Sequence, residues 1–383
     1  MGIGQHVTMA DLEADPDPIL ARMRAEEPVC WVPALDMWLV TRWDDVAELE
    51  ADPDRFTAAT SPSFLARALG PNMLVMDPPA HTRLQSILRP PFLSGGRSGD
   101  FVRDELAPLA ADLAAGIVGD RFDVMDVYAQ PLAAGALAVV LGLDHHGFDR
   151  MWSWCEGLCG DIANFENDPA LTEIGDRTKA DLGAAIAERI EHAGPEDRSA
   201  IRWFVDNGAT PDEVVNNVRL MISGGINEPR DGIGLVTWIL LDRPDLRARI
   251  EAEPARLRRL IEEAFRVHSP VGTVTRQATV DTELGGASIR AGQLVSGVLR
   301  SINLDESHWS NPTEIDLDRR EGPHAAFALG IHRCLGEWLG RQVVKVGVEQ
   351  LLRVAPDLRL DPDQPVSLTG FEFRGPHALH VVR

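Results

Sequence analysis

Phe327-Ala328-Leu329-Gly330-Ile331-His332-Arg333-Cys334-Leu335-Gly336 opens a strongly periodic helical stretch that runs to Val354, and its reading decides the rest of the chain. A thiolate that ligates a metal is best placed at a helix N-terminus, where unpaired N–H groups and the macrodipole favour the anion. Glycines beside it let the backbone approach a flat macrocycle. Cys334, with Gly330 and Gly336 flanking it, meets each condition. Taken alone it reads equally well as a buried thiol ahead of a helix, the commoner fate of a single cysteine.

Outward from this loop, apolar residues recur at three- and four-residue spacing over Phe101 to Ile117, Pro131 to Leu141, Arg177 to His192 and Pro211 to Leu241. At ~1.5 Å per residue the last of these crosses a whole domain, so a long central helix is expected there. Strand-like alternation is confined to Cys30 to Thr41, Ser288 to Ile302 and Val366 to Val382. The expected class is therefore mainly α with small peripheral β-sheets. No linker, repeat or low-complexity block divides the 383 residues, and 1–383 reads as one domain able to enclose a sizeable pocket.

The longest apolar stretch, Pro131 to Leu143, falls well short of the ~20 residues that span a bilayer, and the beginning of the chain is polar and acidic. A cytoplasmic, unanchored protein is expected. The formal charge of -22 disfavours nucleic acid and anionic membranes, both of which demand clustered Lys and Arg. The four cysteines, Cys30, Cys155, Cys159 and Cys334, have neither CxxC nor four-thiolate zinc spacing, so each is a free thiol or a single ligand.

In this company, the Phe-x-x-Gly-x-x-x-Cys-x-Gly frame resembles the haem-binding loop of the cytochrome P-450 family, and the resemblance extends over nearly the entire chain in the family's order. One departure is Ala328, which stands where a glycine is usual. Glu263-Ala264-Phe265-Arg266 matches the family's Glu-x-x-Arg pair, with Arg319 as third partner, which implies a folding role. Outside that context such a pair is usually a solvated one worth ~0.2–0.5 kcal/mol. The resemblance further implies the cytochrome P-450 fold, with the long helix over the haem, and haem b whose iron Cys334 holds. Phe327, Gly330 and Gly336 would shape the loop, and His81, Arg276 and His332 would meet the propionates. The arginine usual four residues after His81 is Gln85 here.

In the long helix, Gly224-Gly225-Ile226-Asn227-Glu228-Pro229 replaces the family's Gly-x-acid-alcohol pattern. Counted back from Pro244, Asn227 takes the acid position and Glu228 the alcohol position. Pro229 lacks the N–H that would bond the Gly225 carbonyl, so a bend and a groove over the iron are expected. There Glu228 would pass protons through water as a general acid, its pKa raised by burial; pairing with Arg230 or a neighbouring helix is the alternative. The run Asn227 to Asp231, with Phe373-Arg374-Gly375-Pro376, is similar to a subgroup containing reductase-fused bacterial oxygenases and aromatic O-dealkylases. This chain carries no G-x-G-x-x-G fingerprint and no ferredoxin cysteine cluster, hence no fused reductase. Electrons are expected from a ferredoxin or a flavin/iron–sulfur reductase, with Arg83, Arg89, Arg333, Arg341 and Lys345 as a basic docking island.

Ile222, Val271, Val274 and Phe371 are expected to line a hydrophobic pocket with few charges, suited to a small hydrophobic organic substrate such as an aromatic ether, a terpene-like compound or an alkyl chain. The resemblance thus implies a monooxygenase that inserts one atom of dioxygen, by hydroxylation or O-dealkylation. The competing readings are a peroxygenase in which Glu228 positions hydrogen peroxide, and a haem-binding sensor without turnover.

Overall fold

In the computed structural model the long helix runs from Pro211 to Asp242, 32 residues, or about 48 Å at ~1.5 Å per residue. The structure describes residues 2–94, 96–194 and 196–383, and of residues 96 and 97 the backbone alone. Local chemistry sets both ends of the helix. Thr210 and Glu213 form a capping box, in which the Thr210 hydroxyl accepts from the Glu213 N–H and the Glu213 carboxylate accepts from the Thr210 N–H at 2.9 Å. At the other end, Arg243 precedes Pro244, which starts a new helix.

The middle of this helix is buried on nearly all sides among Gln130–Leu141, Phe148–Ile162, Pro169–His192 and Glu337–Val354. Close approach to the last of these is set by Gly232, where a Cβ would stand 2.7 Å from Val344 and 2.9 Å from the Phe265 ring. Two neighbouring helices differ from the periodic reading. Phe101 to Ile117 is interrupted by a π turn, Val102–Leu106, and Gln130–Leu141 is preceded by another, Met125–Ala129. Each precedes a proline, Pro108 or Pro131. A wider turn there relieves the clash between the proline ring and the carbonyl four residues back.

Sheet is peripheral, as the alternation implies. The largest sheet orders its five strands as Val29–Val32, Met37–Val40, Leu294–Val298, Thr273–Ala278 and Phe56–Thr57. Met37–Val40 and Leu294–Val298 run parallel, with Trp38 opposite Val295, and the other pairs are antiparallel, with Thr273 opposite Val298. That register carries the first half of Thr273–Ala278 to the edge of the cavity described below. The C-terminal chain adds the short pair Leu368–Thr369 and Gly375–Pro376, and Val271 bridges Phe373. Among the described residues no helix is long and apolar enough to cross a membrane.

The Glu263 carboxylate lies buried between two guanidiniums. Arg266 approaches it at 2.8 and 2.9 Å, Arg319 Nε stands 3.0 Å from both oxygens, and the Asp316 N–H donates at 2.9 Å. Arg266 also donates to the carbonyls of Asn303, Pro312 and Glu314. One side-chain cluster thus ties the Leu257–His268 helix to the irregular segment that leads into the cysteine loop.

Candidate functional site

A large cavity, with some 2140 Å³ of space not filled by atoms when its open mouth is included, extends from the cysteine loop to the long helix. Its walls are mostly apolar: Met73, Leu137, Ile162, Met221, Val271, Val274 and Phe373 are among them. Cys334 stands in the wall, enclosed by protein yet with its own surface open to the cavity. The Cys334 N–H donates to the Phe327 carbonyl at 2.9 Å, which closes the loop, and Gly336 passes 3.9 Å from Sγ as measured from an added Cβ. Burial pushes the Cys334 thiol up to about 11. A cation beside the sulfur reverses that cost.

Loop geometry explains the two glycine positions. Gly330 has φ +62°, and a Cβ there would come 2.6 Å from the Glu50 carbonyl oxygen, so it serves the turn and does not line the cavity. Ala328 holds the same left-handed region at φ 59° with a methyl group, a conformation that costs an L-residue ~1–2 kcal/mol. Ala328→Gly removes that cost but frees the unfolded chain by ~0.4–1 kcal/mol. The expected result is a gain in stability of ~0–1.6 kcal/mol, read by urea unfolding, and a loss would show that the methyl packs usefully.

Arg276 and His332 line one side of the cavity, and His81, outside its wall, packs against His332. The His81 and His332 rings lie 4.3 Å apart between centroids, and Arg276 lines the wall beside them. Among the described residues His332 has no partner for either ring nitrogen, nor has His81 for Nε2. Burial, with the charges of Arg276 and His81 adding, depresses His332 to about 3. Arg276 meets the buried Glu50 at 2.8 Å. Such a cluster suits additional anions, and a flat macrocycle bearing two carboxylates would satisfy the orphaned nitrogens while presenting its metal to Cys334. The residues therefore fit a haem. Gln85, in the position usual for a basic partner, instead donates to the Ile331 carbonyl at 3.0 Å.

On the long helix, Met221, Gly224, Gly225 and Glu228 face the cavity, the i, i+3, i+4, i+7 set of one helical stripe, with Leu220, Ser223 and Pro229 at its edges. That geometry corrects two expectations. Ile222, one residue round the helix, is in the core and not in the wall, and Asn227 also points away, buried with no partner for Nδ2 among the described residues. Glu228 is enclosed by protein but open to the cavity, and its Oε2 has no donor among the described residues. Desolvation holds its pKa well above the carboxylate range, with the charges of Asp231 and Glu372 adding. It does not pair with Arg230, which bonds Asp231 at 2.8 Å and lies over the Trp152 ring.

Val271 and Val274 line the cavity, but Phe371 does not: it packs near Phe165 in another cluster, and Glu372 and Phe373 take its place. Glu372 is the residue that sequence reading missed, and its one signal was an acid between two phenylalanines near an apolar turn. The basic island is also weaker than its charges suggest. Arg83 bonds Glu213, Arg333 bonds Glu337, Arg341 bonds Glu262 and Glu337, and Lys345 bonds Glu349; of the five, Arg89 alone lacks a carboxylate partner among the described residues. In so acidic a chain, most surface cations find local anions.

Residues 256–362 match the family model described as Cytochrome P-450. The chain is 30% identical to cytochrome P-450-SU2 of Streptomyces griseolus, over 96% of this chain and 92% of that protein. It is also 30% identical to the cytochrome P-450 monooxygenase PikC of Streptomyces venezuelae, over 97% and 92%. The fold matches the ligand-free structure of cytochrome P-450 TbtJ1 with a TM-score of 0.87 at 24% identity, over 97% of this chain and 98% of that one.

Proposed function

Because the chain belongs to the cytochrome P-450 family, a family of haem b monooxygenases, we propose that it hydroxylates or O-dealkylates a small, largely hydrophobic molecule in the cavity between Cys334 and Glu228. When bound, haem b supplies activation of dioxygen and insertion of one oxygen atom into substrate. Cys334 would supply the thiolate for its iron, and His81, Arg276 and His332 would meet its propionates. Met221, Leu137, Val271, Val274 and Phe373 exclude water and orient the apolar body of the substrate. Electrons come from a ferredoxin or a flavin/iron–sulfur reductase, whether separate from this chain or removed from it.

Glu228 holds a proton at its carboxyl and donates it, through water, at the Gly225–Glu228 face of the helix. Its raised pKa suits this, because burial favours the protonated form, which has a proton to give. Pro229 leaves the Gly225 carbonyl without its helical donor, so this oxygen is free to accept from the same water. Glu228→Gln keeps the shape and removes the acid. Expected is a fall in product formed per electron consumed and in turnover by ~10²-fold or more, the usual range for a general acid. Unchanged coupling would remove Glu228 from the reaction.

The observation that carries the reading is that the Cys334 thiol and the Glu228 carboxyl line one mostly apolar cavity from two different elements. The test supplies the holoprotein with a ferredoxin system, an aromatic ether and isotopically labelled dioxygen. One labelled oxygen in each oxidation event is expected, in the alcohol or in the aldehyde released by dealkylation before it exchanges with water. Unlabelled product would overturn it.

A further inference from the structure

Four charged side chains line the cavity: Glu228, Arg276, Arg333 and Glu372. Both arginines have partners outside it, Arg276 on Glu50 and Arg333 on Glu337. The carboxyls do not. Glu372 is nine-tenths buried; its Oε2 accepts from the Thr273 hydroxyl at 2.7 Å, and among the described residues no donor meets Oε1 and no Arg, Lys or His pairs with it. Arg374, two residues on, is turned away to the carbonyls of Glu13, Ala14 and Gly370. Burial, with the charge of Glu13 adding, pushes Glu372 up to about 7.

An uncompensated acid in an apolar wall is costly, and a hydrocarbon that displaced water from Oε1 would deepen the cost. An anion would be opposed by the Glu372 carboxylate. An organic cation would offset the penalty, and Glu372 lines the space it would occupy. Resting on the proposed substrate pocket, we infer that Glu372 anchors a cationic group of the substrate. The pocket then takes small apolar amines whose ammonium pairs with Oε1 while the hydrocarbon part lies against Val271, Met221 and Phe373. Thr273 holds the carboxylate in place, and Glu228 remains free for proton transfer. The charge fixes which carbon reaches the iron, so Glu372 determines regiochemistry as well as substrate class.

The test is a calorimetric titration of the holoprotein with benzyltrimethylammonium and with its neutral isostere neopentylbenzene. The quaternary nitrogen cannot ligate iron, so the pair differs in charge alone. The cation is expected to bind about tenfold or more tightly, equivalent to ~1.4 kcal/mol. In Glu372→Gln that preference should fall to about onefold with the affinity for neopentylbenzene unchanged, whereas Glu228→Gln should keep it. Equal binding by the unaltered protein, or a preference that survives Glu372→Gln, overturns the anchor. If the Gln variant does not fold, Glu372→Asp decides, since a preference unaffected by withdrawing the carboxylate also overturns it. Binding needs no turnover, which separates the two readings: cation preference without oxidation of any substrate sinks the monooxygenase and leaves the anchor, and oxidation of neopentylbenzene without cation preference does the reverse.

Discussion

Replacing Cys334 by alanine is expected to abolish the strongly red-shifted Soret band of the reduced carbon monoxide complex, and monooxygenase turnover with it. The expectation rests on geometry and on chemical softness. Cys334 is the one cysteine in the cavity wall, while Cys30, Cys155 and Cys159 are buried elsewhere and cannot substitute for it. The loop backbone, fixed by the Cys334 N–H to the Phe327 carbonyl and by Gly330 against Glu50, aims the sulfur without using the side chain. The variant should therefore fold. Its haem would lose the electron donation that oxygen cleavage requires, even if the propionate cluster still held it. A red-shifted band that persists in the variant would place the ligand at another residue.

Loss of the Glu263 carboxylate is expected to cost ~3–5 kcal/mol, the usual penalty for breaking one side of a buried ion pair. Against a total stability of ~5–15 kcal/mol, this approaches unfolding. Glu263→Leu leaves Arg266, 1% exposed, buried with no countercharge, and leaves Arg319 with Glu321 alone, at 3.4 Å. The Arg266 carbonyl contacts remain, but they satisfy its N–H groups and not its charge. Urea unfolding should show the loss, and a change below ~1 kcal/mol would reduce the cluster to the value of a surface pair. The acid limb has a definite sign. Burial alone would raise the Glu263 pKa, but the bonds from Arg266, the Asp316 N–H and Arg319 outweigh it and lower the net value. Its stabilisation is present above the unfolded carboxylate pKa of ~4.3 and is lost as pH falls through the lower folded value, so the Leu variant should be the less acid-sensitive of the two.

Several features were legible in the residues because their causes are local. The cysteine loop is contiguous, since a helix N-terminus, two close glycines and a thiolate must follow one another along the chain to serve a flat ligand. The long helix is equally local: its apolar period, its Thr210–Glu213 capping box and the Pro244 stop lie within the segment itself. Even the π turns have a sequence cause, in Pro108 and Pro131, though periodicity alone did not reveal them.

Packing decided the rest. Which face of the long helix meets the cavity depends on its rotation against neighbouring helices, and this exchanged Ile222 for Met221 and set Glu228 inside and Asn227 outside. Which residue of Phe371-Glu372-Phe373 enters the wall depends on how a C-terminal turn lies against Val271 and Thr273, a hundred residues earlier in the chain. The partners of Arg83, Arg276 and Arg341 are likewise remote in sequence, at Glu213, Glu50 and Glu262. By itself, then, the sequence determined the cysteine loop and the helical frame, because short-range sterics and spacing specify both. Only the tertiary structure decided which charges the cavity contains, because whether a side chain is neutralised, hidden or left facing a ligand depends on residues far away along the chain.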